Sequence, residues 1–165
     1  QESSTNYESA SKTYDVASKK IPQLKDFYDD YSLYMQAWSQ IEQAKYSHSI
    51  EEYNKAKQHY EKAAKLHQTT NSWNYLAPNY FAWSYMEKAE GLSRKEKSQH
   101  AKQTFQKAYE EFYKAEKSLK QKLEEITSPD EKEMIQRLFE ASVLRQKYCQ
   151  ARILLEEAKI FERNG

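Results

Sequence analysis

The chain of 165 residues has very little glycine, proline or cysteine: two glycines, three prolines and one cysteine. Sheet proteins need turn residues wherever a strand reverses, so this scarcity argues against a β fold and favours helices. The single cysteine, Cys149, excludes an internal disulfide. We therefore expect a reducing compartment and a cytoplasmic protein.

The chain also lacks an excess of charge of either sign. There are 26 basic and 25 acidic residues, for a net charge of +1. Nucleic acids and anionic membranes are held by a field of one sign, so the balance argues against both kinds of partner. The most basic stretch, residues 94–102, keeps nucleic-acid binding open as an alternative. No apolar run approaches the roughly 18 residues that a membrane-spanning helix needs.

Residues arranged for catalysis or for cofactor binding are missing as well. Gly91 and Gly165 are the only glycines, so no glycine loop could cradle a phosphate. The acidic residues 26, 29 and 30 are interpreted as a solvated surface, and Cys149 as a buried, unreactive thiol. The four histidines are spread along the chain, and we expect surface or groove positions for them and no metal site. We predict a non-catalytic protein without a cofactor.

The chain is rich in aromatic residues, with fourteen tyrosines, six phenylalanines and three tryptophans. Many of them follow one pattern, aromatic-x-x-Ala-x-x-x-aromatic-x-x-Ala. Spacings of 3, 4 and 7 place such a set on one face of a helix. The three copies are Tyr7/Ala10/Tyr14/Ala17, Tyr53/Ala56/Tyr60/Ala63 and Phe105/Ala108/Phe112/Ala115.

A second helical pattern alternates with the first. Its copies are Ala37-Trp38-x-x-Ile41-Glu42-x-Ala44, Ala82-Trp83-x-x-Met86-Glu87-x-Ala89 and, more weakly, Ala151-x-x-x-Leu155-Glu156-x-Ala158. Alternation of two helix types is typical of a stacked array of helix pairs. We therefore predict an all-α fold of about six antiparallel helices in three hairpins.

Local signals set the expected boundaries within a single domain covering residues 1–165. We predict a first repeat at about 4–47, a second at about 49–91 and a long C-terminal hairpin at 93–164. Capping boxes at 49–52, 93–96 and 128–131 predict helix starts, and Gly91 predicts a helix end. Each helix of the last hairpin is expected to exceed about 30 residues. The missing initial methionine leads us to expect a fragment of a larger protein.

These patterns resemble the tetratricopeptide repeat family. The second helix of each pair in that family carries the aromatic–alanine pattern, and the first helix carries Trp-x-x-Leu-Gly. Trp38-x-x-Ile41 and Trp83-x-x-Met86 are similar to its first part, whereas Glu42 and Glu87 occupy the glycine position. The copies here lie 46 and 52 residues apart, longer than the family period of about 34. The resemblance implies a right-handed α-solenoid.

The resemblance also implies a concave groove lined by the first helix of each pair, where a peptide or a partner helix would lie. The family's carboxylate-clamp lysines and asparagines are not matched, so binding of a chaperone tail is not implied. The groove residues that the resemblance implies are Gln36, Ser39, Gln43, Tyr46, Phe81, Ser84 and Lys88.

We therefore predict an adaptor or scaffold module that binds a peptide or helix in a tyrosine-rich groove. Two alternatives remain open at this point. The long C-terminal helices could pair with a second copy and make a homodimer. The basic stretch 94–102 could bind nucleic acid.

Overall fold

The computed structural model describes all 165 residues and contains six α-helices and no strand. The all-α prediction is therefore confirmed. Two short 3₁₀ helices, Pro22–Leu24 and Asn74–Leu76, precede the second and fourth α-helices. The α-helices are α1 (Glu2–Lys20), α2 (Lys25–Ser49), α3 (Tyr53–Thr69), α4 (Ala77–Arg94), α5 (Ser98–Glu125) and α6 (Pro129–Asn164).

The helices fall into two compact units. The first unit is Gln1–Ala77 and holds α1, α2 and α3; the second is Pro78–Gly165 and holds nearly all of α4 together with α5 and α6. The boundary lies inside the predicted second repeat. The three-hairpin stack, its handedness and the single domain stay predictions.

A row of serines joins α1 to α2 in the first unit. Ser4 and Ser11 lie seven residues apart on one face of α1, and both are buried. The Ser4 Oγ is 2.8 Å from the Ser39 Oγ, and the Ser11 Oγ is 2.9 Å from the Ser32 Oγ. The later serine of α1 pairs with the earlier serine of α2, so the two helices are antiparallel. We call these four residues the serine seam.

The second unit is built around one face of α5. Ala101, Phe105, Ala108 and Phe112 on this face are all fully buried. Residues of α4 and α6 complete the two clusters in which they pack. The small alanines let neighbouring helices approach, and the rings fill the space between them.

Helices α5 and α6 form the predicted antiparallel hairpin. Gln146 donates a 2.6 Å hydrogen bond to Glu116, and Lys102 lies 2.6 Å from Glu157. The residue with the higher number in α5 has the partner with the lower number in α6, so the two helices are antiparallel. Helix α6 has 36 residues, whereas α5 has 28 and is shorter than predicted.

Two predicted capping boxes are wrong, because each marks the end of one helix rather than the start of the next. Glu51 and Glu96 have positive φ angles of 60° and 57°. After each, the next amide bonds back five residues: Glu52 N to Ser47 O and Lys97 N to Leu92 O, at 2.9 and 3.0 Å. This is the left-handed helix end that usually contains glycine.

The remaining boundary predictions had mixed outcomes. Gly91 does not end α4, which continues to Arg94. Helix α4 starts at Ala77, which places Pro78 in the first turn, where its missing N–H costs no hydrogen bond. Ser128 is the N-cap of α6 with proline in the first turn, as expected, although its side chain makes no capping hydrogen bond.

Candidate functional site

Eight aromatic side chains of the first unit form a connected set of ring contacts, which we call the aromatic array. The Trp73 ring centroid lies 4.3 Å from that of Tyr34 and 4.8 Å from that of Tyr31. Phe27, at the edge, is 54% exposed. Half-exposed tyrosines combine contact area with a hydroxyl and suit recognition surfaces. The array consists of Tyr7, Tyr14, Phe27, Tyr28, Tyr31, Tyr34, Trp38 and Trp73.

His67 lies against this array, and the expectation of a surface or groove position for it is wrong. It is fully buried, and its ring packs edge-on to Tyr34 and Trp38 at centroid distances of 5.8 and 6.2 Å. Burial lowers the pKa of the imidazole to about 3. His67 is therefore neutral near pH 7 and acts as a ring in the core.

Asp30 also departs from its predicted role, because it is buried rather than solvated. Its two carboxylate oxygens accept hydrogen bonds from the backbone amides of Asn71 and Ser72, at 2.7 and 3.0 Å. These bonds fix the turn after α3 to the start of α2. The carboxylate thus has a structural role in holding Trp73 within the aromatic array.

The second unit contains a buried ionic cluster between α4 and α6. Glu156 is fully buried and accepts hydrogen bonds from Ser93 and from Lys159, the latter at 3.0 Å. Arg152 reaches Glu90 at 2.5 Å. Burial of charge is costly unless the charges are paired, and here two carboxylates face two cations. We call these five residues the buried ionic cluster.

The pKa shifts within this cluster follow from its contacts. Burial alone would raise the pKa of Glu156, but hydrogen bonds from Ser93 and Lys159 outweigh it and hold that pKa below its ordinary value. For Arg152, burial acts to lower the pKa, and bonds to Glu90 and Tyr148 raise it further than burial lowers it. Glu156 and Arg152 therefore stay charged near pH 7, and the cluster holds α4 and α6 together.

An apolar stripe runs along the exposed side of α6. Phe161 is 79% exposed, Leu154 65% and Leu144 64%. From Leu144 to Phe161 the stripe extends about 25 Å along the helix. Several large apolar side chains exposed on one side of a helix mark an interaction site more often than single scattered ones do. The α6 stripe comprises Leu144, Ala151, Leu154, Leu155, Ala158 and Phe161.

Sequence reasoning left open a homodimer through the long C-terminal helices but named no residue of the α6 stripe, although a signal for the stripe exists. Ala151, Leu155 and Ala158 are the weak third copy of the second helical pattern. In the copies on α2 and α4 these positions are buried, whereas in α6 they are exposed. Periodicity identifies an apolar face but does not tell whether a neighbouring helix covers it.

The predicted groove residues of the first unit lie mostly at the serine seam. Ser39 is 1% exposed. Gln43 donates hydrogen bonds to Ser4 and Ser39 at 2.9 and 3.3 Å, and Gln36 donates to Ser32 at 3.3 Å. Ser39 and Gln43 therefore stabilise the α1–α2 contact, whereas the bond of Gln36 lies within α2; Tyr46 is the exposed member of the group.

The predicted groove residues of the second unit lie on α4. Ser84 is buried, Phe81 is half-buried and Lys88 is exposed. A partner role for the seven residues stays a prediction, and it depends mainly on the exposed pair, Tyr46 and Lys88.

Two cations of the basic stretch 94–102 have carboxylate neighbours. Arg94 lies 3.2 Å from Glu90, and Lys102 pairs with Glu157. These carboxylates reduce the positive potential that a phosphate backbone would meet.

Groups that could carry chemistry are few. Cys149 is buried, as predicted, and burial raises the pKa of its thiol to about 12. No cluster of three or more histidine, cysteine or acidic residues is placed to hold a metal ion. No helix has the length and apolar character needed to cross a bilayer.

In comparisons with known proteins, no family model, curated protein or solved structure matches the chain.

Proposed function

We propose that the chain is a non-catalytic protein–protein interaction module and that its main contact surface for a partner helix is the α6 stripe. The observation that carries the proposal is the exposure of Leu154 and Phe161, at 65% and 79%, on a helix whose opposite side is packed. Burying a large apolar side chain contributes about 1.5–3 kcal/mol, so these residues favour a bound state.

The shape of the stripe favours a helix as the partner element. It lies on one helix over about 25 Å, and its apolar positions recur at spacings of three, four and seven residues. A helix laid along such a face meets it with residues of the same period. An extended peptide would match a pleated edge better, and α6 offers no unpaired backbone.

Selection of binding helices from a displayed library tests the proposal. Wild-type chain should recover helices whose binding weakens at least about tenfold on Phe161→Gln or Leu154→Gln. Val16→Gln removes an apolar residue that is 50% exposed on α1 and serves as the matched control, which should bind as wild type does. Recovered helices that are indifferent to both α6 substitutions would contradict the proposal.

A second candidate surface is the aromatic array, which supports the predicted peptide contact in a tyrosine-rich groove. Phe27 and its half-exposed tyrosine neighbours are the specific observation in its favour. Phe27→Ala should then weaken the binding of a peptide that does not compete with helices bound to α6.

Homodimerisation and nucleic-acid binding remain alternatives. Light scattering tests the first, and titration with labelled RNA and DNA at low salt tests the second.

A further inference from the structure

The α6 stripe has the same arrangement of small and large residues as the face of α4 that packs on α5. Each of five α6 positions lies 69 residues after its α4 counterpart, and both sets read small, large, large, small, large. The buried glutamates of the two helices, Glu87 and Glu156, are also 69 residues apart. The α4 set is Ala82, Tyr85, Met86, Ala89 and Leu92; the α6 set is Ala151, Leu154, Leu155, Ala158 and Phe161.

In α4 this face is covered. Ala82 and Met86 pack in one cluster with Ala108 and Phe112 of α5. Tyr85 and Leu92 pack against the same clusters from their edges. The corresponding residues of α6 are exposed. Helix α6 therefore has the same apolar pattern as α4, but no helix of this chain packs against it.

The α2–α3 contact supplies a second example of the same interface. Ala37, Ile41 and Ala44 of α2 are buried. Trp38 meets His67 of α3 at a centroid distance of 6.2 Å and an interplanar angle of 82°. In the second unit Trp83 meets Phe112 at 5.9 Å and also at 82°. A helix of the α2 and α4 kind is thus covered in the same way in both units.

The covering helices share one surface pattern. Small and ring-bearing residues alternate along α5 at spacings of four, three and four, as Ala101, Phe105, Ala108 and Phe112. Helix α3 has the same order in Ala56, Tyr60, Ala63 and His67. The bulky residues of one helix lie against the small residues of the other, which is how close packing is reached.

We propose that the α6 stripe binds an antiparallel amphipathic helix of the α5 type, with alanines at positions i and i+7 and rings at i+4 and i+11. Its rings would lie over Ala158 and Ala151, and the alanine between them would lie over Leu155. The inference rests on the proposed function and names the class of partner. It extends to α6 an interface that the protein already makes twice.

The test uses a labelled synthetic peptide with the α5 sequence, residues 98–125, titrated into the full chain. We expect saturable binding that weakens at least about tenfold in Leu154→Gln and in Phe161→Gln. Val16→Gln should bind the peptide as wild type does. Both α6 side chains are exposed, so their replacement leaves the packed side of the helix intact.

A second peptide controls for general stickiness. It has the same composition, with Phe105 exchanged with Ala108 and Phe112 exchanged with Ala115. Hydrophobicity is unchanged, but the ring at position 108 then meets Leu155, and alanines instead of rings lie over Ala158 and Ala151. Equal binding of the two peptides would overturn the proposal.

Orientation is tested by disulfide formation with Leu144→Cys. In the antiparallel arrangement this site lies near the C-terminal end of the peptide, so a cysteine added there should cross-link and one added at the N-terminal end should not. Cys149 does not interfere, because it is buried and its thiol pKa is raised to about 12. Cross-linking of Leu144→Cys to the N-terminal cysteine rather than to the C-terminal one would overturn the proposal.

The remaining outcomes separate this inference from the proposed function. Library-selected helices that need Phe161, together with no binding of the α5 peptide, would overturn the inference and leave the function standing. If neither library-selected helices nor the α5 peptide bind through the α6 stripe, both the inference and the proposed function are overturned. Self-association of the chain alone through paired α6 stripes, seen as Leu154→Cys cross-linking to itself, would replace the proposed helix with a second copy.

Discussion

The Ser11 and Ser32 hydroxyl oxygens lie 2.9 Å apart inside the contact between α1 and α2. The Ser32 hydroxyl also donates to the Ser11 carbonyl at 3.1 Å. Small side chains with satisfied hydroxyls allow two helices to pack closely without a cost for burying polar groups. The serine seam therefore lets α1 and α2 pack closely beside the ring contacts that Tyr7 and Tyr14 make with α2.

The seam predicts that a larger residue at its centre is destabilising. Ser11→Leu should lower the free energy of unfolding by about 2 kcal/mol, because extra methylenes force the helices apart and leave the Ser32 hydroxyl in apolar surroundings. Lys12→Leu, an exposed change on the next residue, should stay within about 0.5 kcal/mol of wild type. Urea unfolding followed by tryptophan fluorescence measures both, and equal effects would show that the seam is not closely packed.

The buried imidazole predicts a pH dependence of stability. His67 has a folded pKa of about 3, below its ordinary value of 6.5, so the unfolded chain binds a proton first as the pH falls. Its contribution to stability is complete above pH 6.5 and is lost at up to about 1.4 kcal/mol per pH unit below that value.

His67→Gln separates this effect from the titration of carboxylates. The variant should be less stable than wild type at pH 7, because it loses ring contacts with Tyr34 and Trp38. The difference between the two proteins should narrow between pH 7 and pH 5. A constant difference over this range, measured by urea unfolding, would mean that the folded and unfolded chains take up the His67 proton alike, so that burial does not lower the pKa of the imidazole.

The buried ionic cluster predicts a large effect from a single charge. Glu156→Leu should destabilise the second unit by about 3 kcal/mol, because it leaves Lys159 and Arg152 without a buried carboxylate between them. Glu157→Leu removes the neighbouring, 44% exposed carboxylate and should cost less than about 1 kcal/mol. Thermal unfolding by circular dichroism compares the two.

The same cluster sets a second pH limit. The folded pKa of Glu156 lies below its ordinary value of 4.5, so its contribution is present above pH 4.5 and is lost as the pH falls through the folded pKa. Glu156→Gln should therefore lose less stability than wild type on acidification below pH 4.5. An identical acid profile would show that the carboxylate is not stabilised in the fold.

Helix content and the α5–α6 hairpin could be predicted because they depend on local spacing. The alanine and aromatic positions of α5 follow a helical period, and their burial follows from it. The role of Ser39 could not be read in this way, because a buried serine and a groove serine look alike without their partner. Asp30 is similar: its acceptor role depends on backbone amides more than forty residues away.

The exposure of the α6 stripe marks the limit of pattern reasoning. Leu155 has the same helical phase as Met86, yet it is 48% exposed whereas Met86 is 8% exposed. The difference comes from the neighbouring helix, which periodicity within one element does not record. Helix ends are hard to read for a related reason, since a serine followed by a glutamate fits a capping box whichever helix it borders.

Those helix ends supply the last prediction. Glu51 and Glu96 adopt left-handed backbone conformations, with φ of 60° and 57°, which cost energy in any residue with a Cβ atom. Glu51→Gly and Glu96→Gly should each stabilise the protein by about 0.5–1 kcal/mol, even though glycine gains entropy in the unfolded chain. Glu52→Gly is the matched control: its φ of −85° suits an ordinary residue, so glycine there should destabilise. Urea unfolding midpoints decide the matter, and a destabilised Glu51→Gly would mean that the glutamate side chain stabilises the turn by more than the backbone strain costs.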